Sequence, residues 1–263
     1  MCIDYRALNK LTVRNRYPLP RIDECLEQLS GAKVFTSLDL KSGYHQVRLR
    51  EEDKPKTAFN TRYGQYQFRV LPFGLTNAPP TFQAMMNRVL GDFLDKFVMV
   101  YLDDILIYSK DMQEHKRHVK MVLDKLREHK FFLNRGKCEF GVEELIFVGY
   151  RITKDGILPD QAKVKTIQEW PVPTNVQEVR QFLGTTAYYR RFIKNYAHVA
   201  APMTNLTQGS GPKKRSIVWT VECQEAFDKL KQELTNAPLL MSPVIDKPFK
   251  VYTDASDYAC GAV

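Results

Sequence analysis

The chain has 263 residues, 44% of them hydrophobic, a composition that excludes a disordered or collagen-like protein. Its 39 lysines and arginines against 30 acidic residues leave a net charge of +9, which weakly favours a polyanionic partner. Five scattered cysteines without a CxxC pair, no signal-peptide pattern and no apolar run long enough for a bilayer predict a soluble, intracellular protein with no membrane partner.

The first part of the chain predicts one short helix and one strand. Residues 21–32 (RIDECLEQLSGA) predict a helix that Gly31 closes. Residues 33–40 (KVFTSLDL) predict a strand that carries Asp39 near its end. Residues 43–49 (GYHQVRL) alternate in polarity and predict further extended chain.

A helix and a hairpin are predicted next. Residues 71–94 predict a loop and then a helix, with Asn77 as the candidate N-cap. The apolar face of this helix has helical spacing and consists of Phe82, Met85, Met86, Val89 and Phe93. Residues 97–111 (FVMVYLDDILIYSKD) predict two strands joined at a Leu-Asp-Asp turn.

The chain then continues with a charged helix and a second hairpin. The helix is predicted over residues 113–130, and its buried stripe consists of Val119, Val122, Leu123 and Leu126. The hairpin pattern covers residues 143–159. Because strands and helices are mixed without a regular βαβ repeat, we expect an α+β domain with a largely antiparallel sheet.

Helices dominate the last third of the chain. Asn175 followed by Glu178 predicts a helix N-terminus with a capping box. Residues 207–216 (TQGSGPKKRS) are the clearest linker, residues 221–235 predict a final helix, and residues 247–263 begin a strand pair.

Asp103 and Asp104 are the most informative residues, because two adjacent carboxylates in an apolar run need a partner. A hairpin tip would let both approach one site, where Mg²⁺ is the natural ion. Asp39 is the obvious third ligand for a metal pair that drives phosphoryl transfer. The alternative from these residues alone is an ordinary turn and an ordinary strand end, since aspartate favours both positions.

An ordered set of motifs resembles the reverse transcriptase of gypsy-type long-terminal-repeat retrotransposons. Each motif is short, but their order and spacing are specific, and together they cover nearly the whole chain. The motifs are DYRALNK, FTSLDLKSGYHQV, LPFGLTNAPPTFQ, VYLDDILIYS, FVGYRIT, VRQFLGTTAYYRRFI and YTDAS.

This resemblance implies an RNA-directed DNA polymerase with a right-hand fold of fingers, palm and thumb. We expect fingers and palm over residues 1–155, a thumb-like region over 156–206, a linker and connection over 207–246, and the start of a ribonuclease H-like domain over 247–263. By the same likeness Asp39, Asp103 and Asp104 are the palm carboxylates. Asp39 and Asp103 would be the principal ligands of two Mg²⁺ ions, which Mn²⁺ could replace.

The resemblance also implies residues that bind the deoxynucleoside triphosphate. Tyr44 matches the aromatic gate that excludes a ribonucleotide, although its spacing alone fits a half-buried strand tyrosine equally well. Phe73 stands where retroviral relatives carry glutamine and cannot make that side-chain hydrogen bond. Leu102 would touch the primer terminus or nucleotide; the alternative is a plain apolar turn residue. Lys137 is a candidate general acid, with a surface lysine as the simpler alternative.

A third group of residues is implied to bind the primer and its RNA or DNA template. It comprises Arg6, Phe147, Gly149, Tyr150, Tyr189 and Arg190. The alternatives are an ordinary hairpin around Gly149 and a core role for the tyrosines, which are more often buried than exposed at helical spacing. His115 and His118 lack a third metal ligand at useful spacing, and we expect both on the solvated surface.

The likeness further implies that the chain is an internal piece of a Pol polyprotein, which also carries protease, ribonuclease H and integrase. The resemblance implies a location in the cytoplasm, in a virus-like particle or in the nucleus. The family's triphosphate-gripping lysine and arginine would precede Met1. Asp254 matches the first ribonuclease H carboxylate, and one carboxylate predicts no nuclease activity. The alternatives are a non-catalytic remnant that still binds primer–template and, less favoured because of Tyr44 and YTDAS, a viral RNA-dependent RNA polymerase.

Overall fold

The computed structural model describes residues 3–209, 212, 215–241, 253–255 and 260–262. Its α-helices are α1 (Arg6–Leu11), α2 (Ile22–Glu27), α3 (Ala78–Leu90), α4 (Met112–Glu128), α5 (Gln161–Gln168), α6 (Val176–Tyr188), α7 (Tyr196–Leu206) and α8 (Val221–Thr235). Its strands are β1 (Val34–Asp39), β2 (Phe59–Thr61), β3 (Gly64–Tyr66), β4 (Val98–Tyr101), β5 (Asp104–Ser109), β6 (Glu139–Val142), β7 (Glu144–Phe147), β8 (Tyr150–Thr153), β9 (Gly156–Pro159), β10 (Thr253–Ala255) and β11 (Cys260–Ala262). Short 3₁₀ helices cover Gly43–Gln46, Glu51–Thr57, Arg135–Lys137 and Arg190–Phe192.

A four-stranded antiparallel sheet forms the centre, in the order β4-β5-β1-β6. Side chains alternate across each strand, so Leu38 and Ile105 point to one face while Phe35 and Leu106 point to the other. Helices α3 and α4 cover the first face, where Leu38 and Ile105 are fully buried. The predicted antiparallel α+β architecture is therefore confirmed.

The second face packs against a separate group of strands and helices. Strands β7, β8 and β9 form an antiparallel sheet, and its Phe147 and Tyr150 join Phe35 and Leu106 in one buried cluster with Phe182 of α6. Helices α5 to α8 complete this cluster. Because β9 begins at residue 156 and pairs with β8, the three-stranded sheet runs across the domain boundary expected at residue 155.

Two local predictions are wrong. Residues 43–49 were expected to be extended, but Gly43–Gln46 form a 3₁₀ helix. The side chain of Asn77 does not cap α3; it accepts a hydrogen bond from Asn15 N–H and donates to the Val13 carbonyl, each at 2.9 Å. In both places tertiary contacts override a local preference.

Other local signals are confirmed. The Asn175 side chain accepts from Glu178 N–H at 3.1 Å, and the Glu178 carboxylate accepts from Thr174 N–H at 2.7 Å. Gly31 has φ of 76°, a conformation in which glycine avoids Cβ strain. None of the described helices is long and apolar enough to cross a membrane. The side chain of Asp254 lies outside the described residues, although its backbone pairs with Gly261.

Candidate active site

Two of the three candidate carboxylates face each other across neighbouring strands. Asp39 is the last residue of β1, and Asp104 is the first residue of β5. The register of the antiparallel pair places Asp39 directly opposite Asp104. Directly opposed residues project to the same face of a sheet with their Cβ atoms about 4.5–5.5 Å apart. The fold therefore unites carboxylates separated by more than sixty residues of chain.

Asp103 occupies the two-residue turn between β4 and β5, beside Leu102. Leu102 has φ of 56° and Asp103 is not among the residues with positive φ, the pattern of a type II′ hairpin turn. Glycine is preferred at the first position of that turn, so leucine is strained there by about 1–2 kcal/mol.

The side chain of Gln83, on α3, forms hydrogen bonds with the backbone of this turn and of the strand before it. Its Oε1 accepts from Leu102 N–H at 2.7 Å, and its Nε2 donates to the Val100 carbonyl at 3.0 Å and to Asn87 Oδ1 at 2.8 Å. Gln83 is completely buried, so no water competes for these bonds. Asn87 in turn donates to the hydroxyl of Tyr17 at 3.0 Å. Nothing local in the sequence marks Gln83, which lies on a helix whose other inward residues are apolar.

The backbone of Asp39 is held by the segment that follows α4. Asn134 N–H donates to the Asp39 carbonyl at 2.9 Å, and Asp39 N–H donates to Cys138 Sγ at 3.4 Å. Lys137 Nζ lies 3.9 Å from Asp39 Oδ2. The Lys137 side chain is 68% exposed, so its position near Asp39 fits both a general acid and the alternative of a surface lysine.

The carboxyl group of Asp104 is affected by burial and by neighbouring charges. Burial raises the pKa of Asp104 to about 6, with further increases from the charges of Asp103 and Asp39, while Lys137 acts in the opposite direction. A pKa this high means that the protein destabilises the ionised form of the carboxyl group. A nearby cation would stabilise that form.

A divalent ion fits the chemistry of these donors. Mg²⁺ takes oxygen ligands, and one or two carboxylates suffice when waters and phosphate oxygens complete its octahedron. Within the described part of the chain, no three acidic, histidine or cysteine side chains converge to enclose an ion by themselves. The carboxylates fit an open site that shares its metal with a substrate rather than a closed structural site.

Gly43 and three aromatic rings pack next to Asp103. A Cβ placed on Gly43 would be 3.1 Å from the Phe82 ring and 3.5 Å from Asp103 Cβ, so glycine allows the 3₁₀ helix to approach the turn closely. Tyr44 follows and is only 8% exposed. Its ring contacts those of Phe73 and Phe82, with centroids 4.9 and 5.1 Å apart. Burial, and secondarily the charge of Asp103, raises the pKa of the Tyr44 hydroxyl.

Residues 1–152 match the family described as reverse transcriptase (RNA-dependent DNA polymerase). The chain belongs to the reverse transcriptase family. Residues 219–263 match the RNase H-like domain found in reverse transcriptases, a match that includes α8 and begins before the start predicted at residue 247.

Curated relatives are retrotransposon Pol polyproteins. The chain is 46% identical to that of Drosophila melanogaster transposon 297 over 99% of this chain and 24% of the relative. It is 43% identical to that of transposon opus over 100% and 27%, and 40% identical to the Schizosaccharomyces pombe Tf2-3 polyprotein over 100% and 19%. The chain thus spans about a quarter or less of these relatives.

Solved reverse transcriptases share the fold. A foamy viral protease–reverse transcriptase in complex with double-stranded DNA has a TM-score of 0.85 and 25% identity, covering 96% of this chain and 44% of that chain. The foamy viral enzyme in complex with an RNA/DNA hybrid has a TM-score of 0.83 and 25% identity, covering 96% and 34%. The reverse transcriptase fold expected from the motifs is confirmed.

Several residues predicted to contact primer and template are buried. Phe147 and Tyr150 are 2% exposed and Tyr189 is 3% exposed, so their side chains have little surface to offer a nucleic acid. The Tyr189 hydroxyl donates to the Gly149 carbonyl at 2.9 Å, and the neighbouring Tyr188 donates to the Val148 carbonyl. All three side chains therefore lie in the core, and their contact with primer or template stays a prediction.

Of the remaining members of that group, Arg6 and Arg190 are exposed and Gly149 is half-buried. Arg190 lies on the surface at the end of α6, and the turn glycine Gly149 has φ of 81°. The side chain of Arg6 is 87% exposed, and its guanidinium pairs with Asp4 at 2.6 Å. Its charge is therefore locally balanced. Contact of these residues with primer or template stays a prediction.

The histidine prediction is wrong. His115 is 2% exposed, with Nε2 2.7 Å from Thr36 Oγ1 and Nδ1 2.9 Å from Ser109 Oγ. His118 Nδ1 lies 2.8 Å from the same Ser109 oxygen, and its ring stacks on Phe97 with centroids 3.8 Å apart. Burial lowers the pKa of both imidazoles. The signal was present, because His115 continues the helical spacing of the buried stripe of α4.

A groove beside α6 was not predicted from the sequence. It has a volume of about 520 Å³ and lies between the β7–β8 turn and the helix. Lys163 and Arg180 supply positive charge, while Gly184 and the partly exposed Tyr188 leave the helix surface accessible. Cations beside a flat helix surface suit a nucleic-acid backbone.

Proposed function

We propose that this segment is the polymerase part of a retrotransposon Pol polyprotein and extends a primer on an RNA or DNA template. The observation that carries the proposal is the register that opposes Asp39 to Asp104, with Asp103 in the adjoining turn. The buried Gln83 side chain holds the strained turn, so the position of Asp103 does not depend on contacts of its own carboxylate. Such preorganisation is what phosphoryl transfer requires of a protein.

Asp39 and Asp103 would be the principal metal ligands, with Asp104 beside them, and Mg²⁺ or Mn²⁺ would occupy the site. When bound, two divalent ions lower the pKa of the primer 3′-hydroxyl and stabilise charge on the leaving pyrophosphate. Lys137, 3.9 Å from Asp39, is positioned to donate a proton to that leaving group.

The incoming deoxynucleoside triphosphate would lie against Tyr44. The ring of Tyr44 packs against those of Phe73 and Phe82, and these contacts would oppose a movement that admits a 2′-hydroxyl. Phe73 is 53% exposed and offers an apolar contact where a polar side chain would form a hydrogen bond. Discrimination of the sugar would therefore rest on shape.

Duplex binding would involve the groove beside α6. Lys163, Arg180 and Arg190 would neutralise phosphates, and the β7–β8 turn at Gly149 would approach the primer through its backbone. Two lines of support are the basic lining of the groove and the fold neighbours in complex with double-stranded DNA and with an RNA/DNA hybrid. Protease, nuclease and integrase partners would be those of the Pol polyprotein.

The test is primer extension on poly(rA)·oligo(dT) with dTTP and Mg²⁺. Asp103→Asn is expected to abolish extension, because it removes a metal-binding charge, while duplex affinity and circular dichroism stay near wild type. Asp92→Asn, at an exposed position, is the matched control. Unchanged extension in Asp103→Asn would refute the assignment. A wild-type chain that binds duplex without extending it would favour the non-catalytic alternative.

A further inference from the structure

A basic groove lies between α4 and the segment 129–133. It has a volume of about 1060 Å³, and none of the described residues that line it is acidic. Arg48, Arg127 and Lys130 line it and carry permanent positive charge. Arg127 also lies 3.9 Å from Asp124, which partly balances its charge. Arg48 and Lys130 therefore supply most of the unbalanced positive charge. Unbalanced positive charge in a concave surface attracts a polyanion.

Phe132 presents an aromatic ring to this groove on a fixed backbone. The residue is 67% exposed. Its N–H donates to Gln46 Oε1 at 2.8 Å, and its carbonyl accepts from Gln46 Nε2 at 3.0 Å and from Lys41 N–H at 2.9 Å. Because these three hydrogen bonds already order the backbone of Phe132, only its side-chain torsions lose freedom when a flat partner stacks on the exposed ring. Nucleobases are such partners.

The groove adjoins the candidate active site. Leu133 forms a bridge with Leu40, the residue after Asp39. His45, which follows Tyr44 in the 3₁₀ helix, also lines the groove. A strand that leaves the catalytic centre therefore reaches this groove over a short path.

We propose that this groove binds single-stranded nucleic acid, with Phe132 stacked on a base and Arg48 and Lys130 neutralising phosphates. The aromatic ring favours a single strand over a duplex. In a duplex the bases stack on each other, so their flat faces are not available to the ring of Phe132. This site is separate from the groove beside α6 proposed for the duplex.

The test measures binding of a fluorescein-labelled oligo(dT) of about 12 nucleotides to the full chain by anisotropy, a length suited to such grooves. Saturating unlabelled blunt duplex is present to occupy the polymerase cleft. Phe132→Ala is expected to weaken binding roughly fivefold or more, and Phe132→Trp to restore it. Arg48→Gln and Lys130→Gln should each reduce the slope of log affinity against log salt by about 0.7.

An adjoining cavity along α4 offers matched controls. Phe140 is 47% exposed and lines this cavity with Lys116 and Lys120, whereas Leu123 and Arg127 line both cavities. Phe140→Ala and Lys116→Gln should leave oligo(dT) affinity and its salt slope unchanged. Phe132→Leu keeps an apolar side chain without an aromatic face, so it reports on stacking if the alanine variant fails to fold.

Three results would overturn the proposal. Displacement of oligo(dT) by blunt duplex would place the single strand in the polymerase cleft. Wild-type affinity in a folded Phe132→Leu variant would exclude stacking, and equally tight binding of polyglutamate would show a general anion surface. Absence of primer extension would count against the polymerase function but not against this site, because binding is measured without synthesis.

Discussion

Replacing Gln83 with leucine removes the hydrogen bonds beneath the aspartate turn while keeping a side chain of similar volume. Leu102 N–H would lose its acceptor inside the protein, where an unsatisfied amide costs about 1–3 kcal/mol. The turn already has the strained φ of Leu102. We therefore expect it to relax, and the free energy of unfolding to fall by about 1–3 kcal/mol.

Gln83→Leu should also slow catalysis, by a free energy comparable to its effect on stability. A displacement of reacting groups by about 1 Å costs roughly 100-fold in rate. We expect kcat for dTTP addition to fall about that much while KM changes little, because Tyr44 and Phe73 are untouched. Single-nucleotide extension kinetics and urea unfolding measure the two effects.

Asn87→Ala is the control for Gln83→Leu. It removes the outer hydrogen bond of Gln83 but leaves both bonds to the turn, so kcat should stay within a few-fold of wild type. Wild-type kcat in a folded Gln83→Leu variant would refute the view that this side chain positions Asp103. An equal loss in both variants would assign the effect to general packing.

Three further predictions concern other parts of the site. Asp104→Asn should raise the free energy of unfolding at pH 7 but hardly at pH 4, measured by urea titration without metal. The folded pKa near 6 lies above the unfolded value of 3.8, so this carboxyl loses stabilisation as pH rises between them. Tyr189→Phe should lower stability by about 1 kcal/mol through its lost bond to Gly149 without a direct effect on salt-dependent duplex affinity. Gly43→Ala should reduce extension several-fold, because its Cβ would lie 3.1 Å from Phe82; wild-type kinetics would contradict this.

The two aspartates and their hairpin were predictable because their signals are local. A short apolar run on each side of a polar pair predicts strand, turn and strand within fifteen residues, and Asp39 lies near the end of another predicted strand. His115 was predictable in principle from its spacing to Val119 and Val122. Its polar character argued for the surface, and only its buried partners Thr36 and Ser109 explain its position.

The sequence by itself determined the family, the antiparallel architecture and the carboxylates, because motif order and side-chain periodicity are properties of short segments. Tertiary structure decided which side chains form hydrogen bonds with the backbone around these carboxylates. Gln83 and Leu102 are 19 residues apart, and Cys138 and Asp39 are 99 apart, so neither pairing has a local signal. The same physical reason explains why the burial of Tyr189 had no local signal: its hydroxyl bonds Gly149, which folding brings to it from 40 residues away.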